Sequence, residues 1–411
     1  MENATARSEY QPIRSLLLMI IAGCLISAIS LGVRSIYGLF LEPMSDARGW
    51  SRDVFSLAMA LQYLFWGLGL PIAGALADRY GPIWVLVFGG LIYGAGTWAM
   101  AVIADPLWFQ VVGGILVGLG VAFSAFTIAL AAMAKAVPPE KRSLILGIGT
   151  AAGSFGMFAF SPISQYFIEA FGWSTALIYL AIIVMLIIPL SFALPQNAGS
   201  TSELNTNQTM NEALYEALKH RGFVLLTFGF FVCGFHVAFI AVHFPAYVTD
   251  IGLSPSVGAL ALALIGLCNI GGAFFSGVAG QMWSKKNSLS FISFARAVVI
   301  AVFVLAPKSE VNVYIFSVLM GILWLSTVPL TSGIVAQVFG PRYMTLLFGI
   351  VFISHQIGSF LGIWLGGLLY ESTGSYDAMW WAGVVVGVAA GIIHLPINEK
   401  PLQRLSPRPA E

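Results

Sequence analysis

Residues 74–81 read GALADRYG, and residues 277–284 read GVAGQMWS, 203 positions later. Both strings close a long apolar run. The spacing returns elsewhere: GWS at 49–51 answers GLS at 252–254 at 203 positions, and Pro43 in LEPM answers Pro245 in HFPA at 202. Gly147 and Gly172 answer Gly349 and Gly374, again at 202. A register held within one residue over six apolar runs describes two copies of one unit, related by an axis along a membrane normal. Repeats of this kind place a substrate site at their interface near the bilayer midplane, opened to each side in turn by rocking. The expectation is secondary transport.

Composition sets the class around that repeat. Of 411 residues, 58% are hydrophobic and 9% charged, where a soluble domain carries about 25% charged residues. The chain therefore reads as an all-α membrane protein. Its net charge of +1 supplies no field to recruit nucleic acid. Twelve apolar runs are long enough to cross a bilayer: 15–41, 54–77, 83–104, 107–134, 143–170, 174–194, 222–248, 256–280, 288–306, 311–338, 343–370 and 376–396. Residues 1–194 form the first six-helix bundle, 195–221 a cytoplasmic linker, and 222–411 the second bundle. The linker's tail, NEALYEALKHR, suits a short amphipathic helix at the membrane surface. The N-terminal MENATARSEYQPIRS has no cleavage site, so the first span stays in the mature chain. Cys24, Cys233 and Cys268 lie in apolar runs and read as packing residues.

Basic residues set the orientation. Fourteen of the nineteen Lys and Arg fall on the side that carries both termini, against Arg48, Arg52 and Lys308 on the other. Both termini are expected in the cytoplasm. The remaining two, Arg34 and Arg296, lie inside spans.

GALADRYG joins the second and third of twelve spans and resembles the signature loop of the major facilitator superfamily. That resemblance implies the major facilitator fold. It also implies that Gly74, Asp78, Arg79 and Gly81 serve the cytoplasmic gate, with Asp78 locking it in the outward-open state. The family usually continues with basic residues, whereas this chain has PIW at 82–84 and Gln281 in the second copy. GVRSIYGLFLEPM followed by GWSR, KRSLILGI with GSFG (141–156), FGWS (171–174) and FGPRY (339–343) resemble the monocarboxylate-porter branch and its bacterial relatives. In that branch a cation occupies the outer half of helix 1, and Arg34 falls on that position. An acid and an arginine one turn apart in helix 8 are replaced here by Asn269 and Ala273.

A charge in the bilayer centre costs at least about 2.5–3.5 kcal/mol, so each deep polar residue is a functional candidate. Arg34 follows Arg14 by 20 residues, roughly 30 Å of helix, which places it toward the outer end of the first span. It either snorkels to the interface or faces a cavity. His236 stands at the repeat-equivalent position, 202 residues on, and the pair suggests an anion clamp across the axis. None of the eighteen acidic residues falls in the middle of a span, so the substrate is expected to be an organic anion. Arg296 lies near mid-membrane and is either a carboxylate ligand or a scaffold arginine bonded to backbone carbonyls. His355 and Gln356, deep in the eleventh span, suit a proton-sensitive or substrate-contacting role. Tyr37, Asn269, Trp324 and Ser326 complete the candidate substrate set, with Gln62 and Thr327 as further polar positions.

No Walker-type string, zinc spacing or nucleophile elbow is present. An enzyme, a metal site and a cofactor are not expected. The sequence describes a secondary active transporter of a small organic anion, a monocarboxylate above all, in the cytoplasmic membrane of a bacterium. It works by alternating access as a monomer, with the lipid bilayer as its medium and a proton as co-substrate. The alternative reading is an efflux carrier for a neutral or apolar compound; the fifth span, GIGTAAGSFGMFAFSP, lacks the Gly-Pro step typical of antiporters in the superfamily.

Overall fold

A computed structural model of the chain describes residues 13–196, 209–340 and 343–402. Within them, twelve helices are long and apolar enough to cross a membrane. They are α1 (Leu16–Arg48), α2 (Arg52–Tyr80), α3 (Pro82–Val102), α4 (Pro106–Lys135), α5 (Leu144–Phe171), α6 (Trp173–Ser191), α7 (Arg221–Asp250), α8 (Pro255–Met282), α9 (Lys285–Leu305), α10 (Glu310–Phe339), α11 (Leu346–Thr373) and α12 (Asp377–His394). The face where α1 begins and α12 ends is called the base, and the opposite face the top.

The helices form two six-helix bundles with matching contacts. α1 packs on α5 and α3 on α6 in the first; α7 packs on α11 and α9 on α12 in the second. Glycine makes the first of each pair of contacts close. A Cβ on Gly32 or Gly156 would overlap the backbone of the facing helix at the α1–α5 crossing. Gly234 and Gly358 stand in the same relation at the α7–α11 crossing, each 202 positions after its counterpart. Lipid-embedded helices attract one another mainly by packing, so small residues at a crossing bring in the largest contact. The repeat seen in the sequence is thus one crossing geometry used twice.

The bundles meet along two seams, α2 against α11 and α5 against α8. Among the described residues, hydrogen bonds between bundles run from mid-depth to the top. Ser161 donates to the carbonyl of Ala259 at 2.6 Å, the Asn269 amide donates to Ser154 at 2.9 Å, and the Gln356 amide donates to the carbonyl of Tyr63 at 3.0 Å. Toward the base, a Cβ on Gly147 of α5 or Gly349 of α11 would meet open space, and Leu144 is 62% exposed. The described contacts thus join the bundles at the top, and Gly147 and Gly349 face open space toward the base.

Among the described residues four helices are interrupted, α6 at Leu186 and three others. α1 is helical to Ser35, tightens into a 3₁₀ turn at Tyr37–Phe40, and restarts at Leu41–Arg48. The restart explains why this helix outruns the expected limit at residue 41: Pro43 falls in the first turn of a new segment, where a missing N–H costs nothing. α4 breaks between Phe123 and Phe126, and α10 between Leu323 and Thr327. These two breaks are again repeat-equivalent.

Of the expected 195–221 linker, residues 197–208 lie outside the described residues. Its end forms a surface helix, Met210–Lys219, opened by a capping box in which Thr209 and Glu212 satisfy each other's backbone N–H. These bonds hold the Glu212 carboxyl below its usual range. Ala213 and Ala217 face inward, while Tyr215 and Leu218 are exposed.

Replacing Gly156 by Leu forces α1 and α5 apart and should cost about 3 kcal/mol. This is measurable as a lower unfolding midpoint in detergent, and Gly358→Leu should match it. An unchanged midpoint for either variant contradicts the crossing described.

Candidate substrate site

The regular part of α1 ends at Ser35, one residue after Arg34, and the span runs on to Arg48, fourteen residues past Arg34, which leaves Arg34 at mid-depth. The expected position near the outer end is therefore corrected by half a membrane. The guanidinium lies over two aromatic rings of α2, with its central carbon 4.8 Å from the Tyr63 ring centre and 4.5 Å from that of Trp66. Such cation–π contacts contribute roughly 0.5–2 kcal/mol each. They leave the hydrogen-bonding capacity of the group untouched. Nε and Nη1 of Arg34 are buried and have no hydrogen-bond partner among the described residues.

The aromatic wall continues across the seam. Trp66 meets Phe352 of α11 edge-on at 5.3 Å, and Phe352 stacks on His355 at 5.7 Å, with the ring planes 6° apart. His355 Nδ1 lies 2.9 Å from Gln356 Oε1 and contacts Phe230 of α7 on its other side. The Gln356 side chain fits because Gly67 of α2 leaves room; a Cβ there would meet its methylenes. Arg34, His355 and Gln356 are thus brought into one chain of contacts, together with Tyr63, Trp66 and Phe352.

The other candidates are placed elsewhere. His236 does not complete a clamp with Arg34: Nε2 lies 2.7 Å from the Gly383 carbonyl, and the ring packs against Gly387 of α12. A shared repeat position did not give a shared direction, because α1 unwinds beside Arg34 while α7 runs unbroken to Asp250. Tyr37 turns into its own bundle, 2.7 Å from the Thr97 hydroxyl of α3. Gln62 donates to the Gly113 carbonyl of α4 at 3.0 Å.

Arg296 serves the break in α10. Its Nη2 donates to the carbonyls of Leu323 at 2.5 Å and Trp324 at 2.6 Å, and Nε donates to Leu323 at 3.2 Å. The residue is 2% exposed. Of the two sequence readings, this is the geometry of the scaffold arginine. The last carbonyls of a helix segment lack intrahelical partners, and in hydrocarbon no water replaces them. Asn269 secures the same break: its Oδ1 accepts from the Leu325 N–H at 3.0 Å while its amide reaches Ser154. The Ser326 hydroxyl donates to Ile322, its carbonyl accepts from Ser276, and Thr327 lies 3.2 Å from Cys233 Sγ. In the first bundle Gly94 occupies the position of Arg296, and at the α4 break a Cβ on Gly89 would strike the backbone of Phe123 and Ser124.

Two charged clusters bound the site. At the top, Arg52 grips Asp250 through both terminal nitrogens at 2.7 Å, lies 4.0 Å over the Tyr370 ring, and donates to the Tyr376 hydroxyl at 3.2 Å. Its backbone N–H donates to Glu371 at 2.6 Å, so a carboxylate of α11 caps the first turn of α2. Thr249 donates to Glu42 at 2.5 Å. Beside this contact lies a cleft of about 460 Å³ lined by Glu42, Asp46, Gln165 and Glu169. At the base, Asp78 pairs with Lys135 at 3.1 Å within the first bundle. Arg79 lies over the Tyr80 ring, and Gly81 takes a left-handed turn at φ +88° where a Cβ would strike Gln196. Gly74 faces open space.

With this geometry in view, the comparisons with known proteins agree. A model of the Major Facilitator Superfamily matches residues 23–345. The chain belongs to that superfamily. It is a transporter and not an enzyme, with relatives among carboxylate carriers. It is 24% identical over 397 residues to the oxalate:formate antiporter of Oxalobacter formigenes, covering 95% of this chain and 93% of that one. It is 23% identical over 386 residues to monocarboxylate transporter 13 of Rattus norvegicus, covering 89% and 85%. Among solved structures, a bacterial homologue of the human lysosomal transporter Spinster, inward-facing and unoccupied, superposes with a TM-score of 0.71 at 15% identity, covering 94% and 96%.

Tyr63 and Trp66 were not singled out in the sequence. Their signal was present, since residues three apart share a helix face. Aromatic side chains in spans, however, usually pack.

Two outcomes follow. Arg296→Leu strands the Leu323 and Trp324 carbonyls and should destabilise the protein by about 2–3 kcal/mol, read as a lower unfolding midpoint that Arg296→Lys partly restores. Arg52→Ala removes the partly exposed ion pair with Asp250, worth about 1 kcal/mol. It should raise labelling of a Leu39→Cys reporter by an impermeant maleimide about fivefold, with the native cysteines replaced.

Proposed function

We propose that this transporter carries a small organic anion of the monocarboxylate class together with a proton across the cytoplasmic membrane of a bacterium. Alternating access moves the cargo, and both termini lie in the cytoplasm. The base is then the cytoplasmic face, consistent with the excess of Lys and Arg there, and the state described is open inward.

The observation that carries the reading is the Arg34 guanidinium, with two buried nitrogens unbonded at mid-depth. A buried cation without a counter-acid is costly, and an anionic cargo supplies what is missing. A carboxylate accepts two parallel N–H bonds from one guanidinium. The rings of Tyr63, Trp66 and Phe352 suit a small apolar remainder of the cargo. Arg296 is spent on backbone carbonyls and His236 on Gly383. Arg34 alone is then the cargo's cation, which favours one carboxylate over two. His355, joined to Arg34 through Trp66 and Phe352, is the seat for the accompanying proton. Arg52 with Asp250 and Glu371 closes the outside, and Asp78 is released from gate duty while paired with Lys135.

Uptake of labelled formate, L-lactate and benzoate by proteoliposomes under an inward proton gradient tests this. Arg34→Gln should reduce uptake about 30-fold, equivalent to ~2 kcal/mol, with folding intact. Full uptake by that variant, or no carboxylate moved by the wild type under either gradient, overturns the reading.

A further inference from the structure

The amide of Gln356 settles a question of protons. Its Nε2 lies 3.0 Å from the carbonyl oxygen of Tyr63, across the seam. A backbone carbonyl only accepts, so the NH2 end of the amide faces α2. Oε1 is thereby turned toward His355 Nδ1, 2.9 Å away. An amide oxygen also only accepts, so Nδ1 must carry hydrogen whether the ring is neutral or charged. The Ser359 hydroxyl, 3.5 Å from Nδ1, does not compete: it donates to the carbonyl of His355 at 2.9 Å. In the neutral ring the lone pair therefore sits on Nε2.

We propose that Gln356 is a positioning residue that fixes the tautomer of His355 and makes its proton affinity depend on closure of the top. This rests on the reading of His355 as the proton's seat. The Nδ1–H bond to Oε1 becomes charge-assisted when Nε2 takes a proton, and such bonds are about twice as strong as neutral ones. The amide holds that orientation only while Tyr63 stays within reach, that is, while α2 and α11 are together. Separation of the seam frees the amide to rotate, and the imidazolium loses its acceptor. By linkage, a proton on His355 favours the closed top, and opening the top releases it.

The groups around the ring allow this. α7 presents Phe230 and Cys233, α11 presents Phe352, Gln356 and Ser359, and α10 presents Thr327 through its contact with Cys233. The nearest charges are Arg34, beyond Trp66 and Phe352, and Arg296 behind Thr327. No carboxylate among the described residues contacts the ring, so the amide is its one acceptor from the seam.

The test needs no cargo. Full-length protein labelled with ¹⁵N at the histidine rings is observed by NMR in nanodiscs across pH, with His355 assigned by its loss in His355→Asn. The expected neutral form of the wild type carries hydrogen on Nδ1. In Gln356→Leu the hydrogen should move to Nε2, and in Gln356→Glu it should stay. An Nε2–H form in the wild type overturns the proposal even where the Leu variant does not fold, and so does an Nδ1–H form that persists in that variant. In L-lactate uptake, Gln356→Leu should move the midpoint of the pH profile about one unit toward acid. An unmoved midpoint removes the coupling. A His355→Asn profile identical to wild type instead sinks the underlying proton-seat reading while the tautomer result stands, so the two failures are distinguishable.

Discussion

In hydrocarbon a polar group must find its partner within the protein, and nearly every irregular feature of this transporter obeys that constraint. The break in α10 exists because Arg296 and Asn269 reach it from neighbouring helices. At the break in α4 the Ser124 hydroxyl donates to the carbonyl of Gly120 at 2.7 Å, and Gly89 of α3 gives it room. Arg34 departs from it furthest, with two buried nitrogens unbonded where Gln62, His236 and Trp380 each leave one atom so. Its unbonded nitrogens are held in place by aromatic faces that stabilise the cation without saturating it. The same rule that makes Arg296 structural is the ground for proposing Arg34 as the site.

The two bundles are close copies where they pack and differ where they act. Gly32 with Gly156 and Gly234 with Gly358 build the same crossing twice. Around that shared frame, α1 unwinds and α7 does not, and a cation fills on α9 the place that Gly94 leaves empty on α3. Duplication supplied the frame, and divergence of single side chains supplied the polarity across the seam.

Much of the fold was legible in the sequence because its signals are one-dimensional. Span length, loop charge and a 202-residue register need no knowledge of helix rotation. Arg34 was legible for a similar reason, since a lone cation in an apolar run stands out whatever it faces. His236 shows the limit: register fixes which residue is equivalent, but a local change in backbone winding decides where the side chain points. Tyr63 and Trp66 were hidden because the same rings serve a packed core and a cation. The upper third of α1 was hidden because its charged residues fold onto protein, where Arg48 reaches the carbonyl of Met100.

The carboxylate of Glu371 on the first turn of α2 has a thermodynamic consequence. The groups that bind at the top, the Arg52 guanidinium, the Asp250 and Glu371 carboxylates and a helix end, are all ones that water can solvate. Parting them trades each contact for hydration and leaves the balance near zero. The glycine crossings inside each bundle have no such exchange available. The top can therefore serve as a nearly isoenergetic door while the glycine crossings remain as hinges that never come undone.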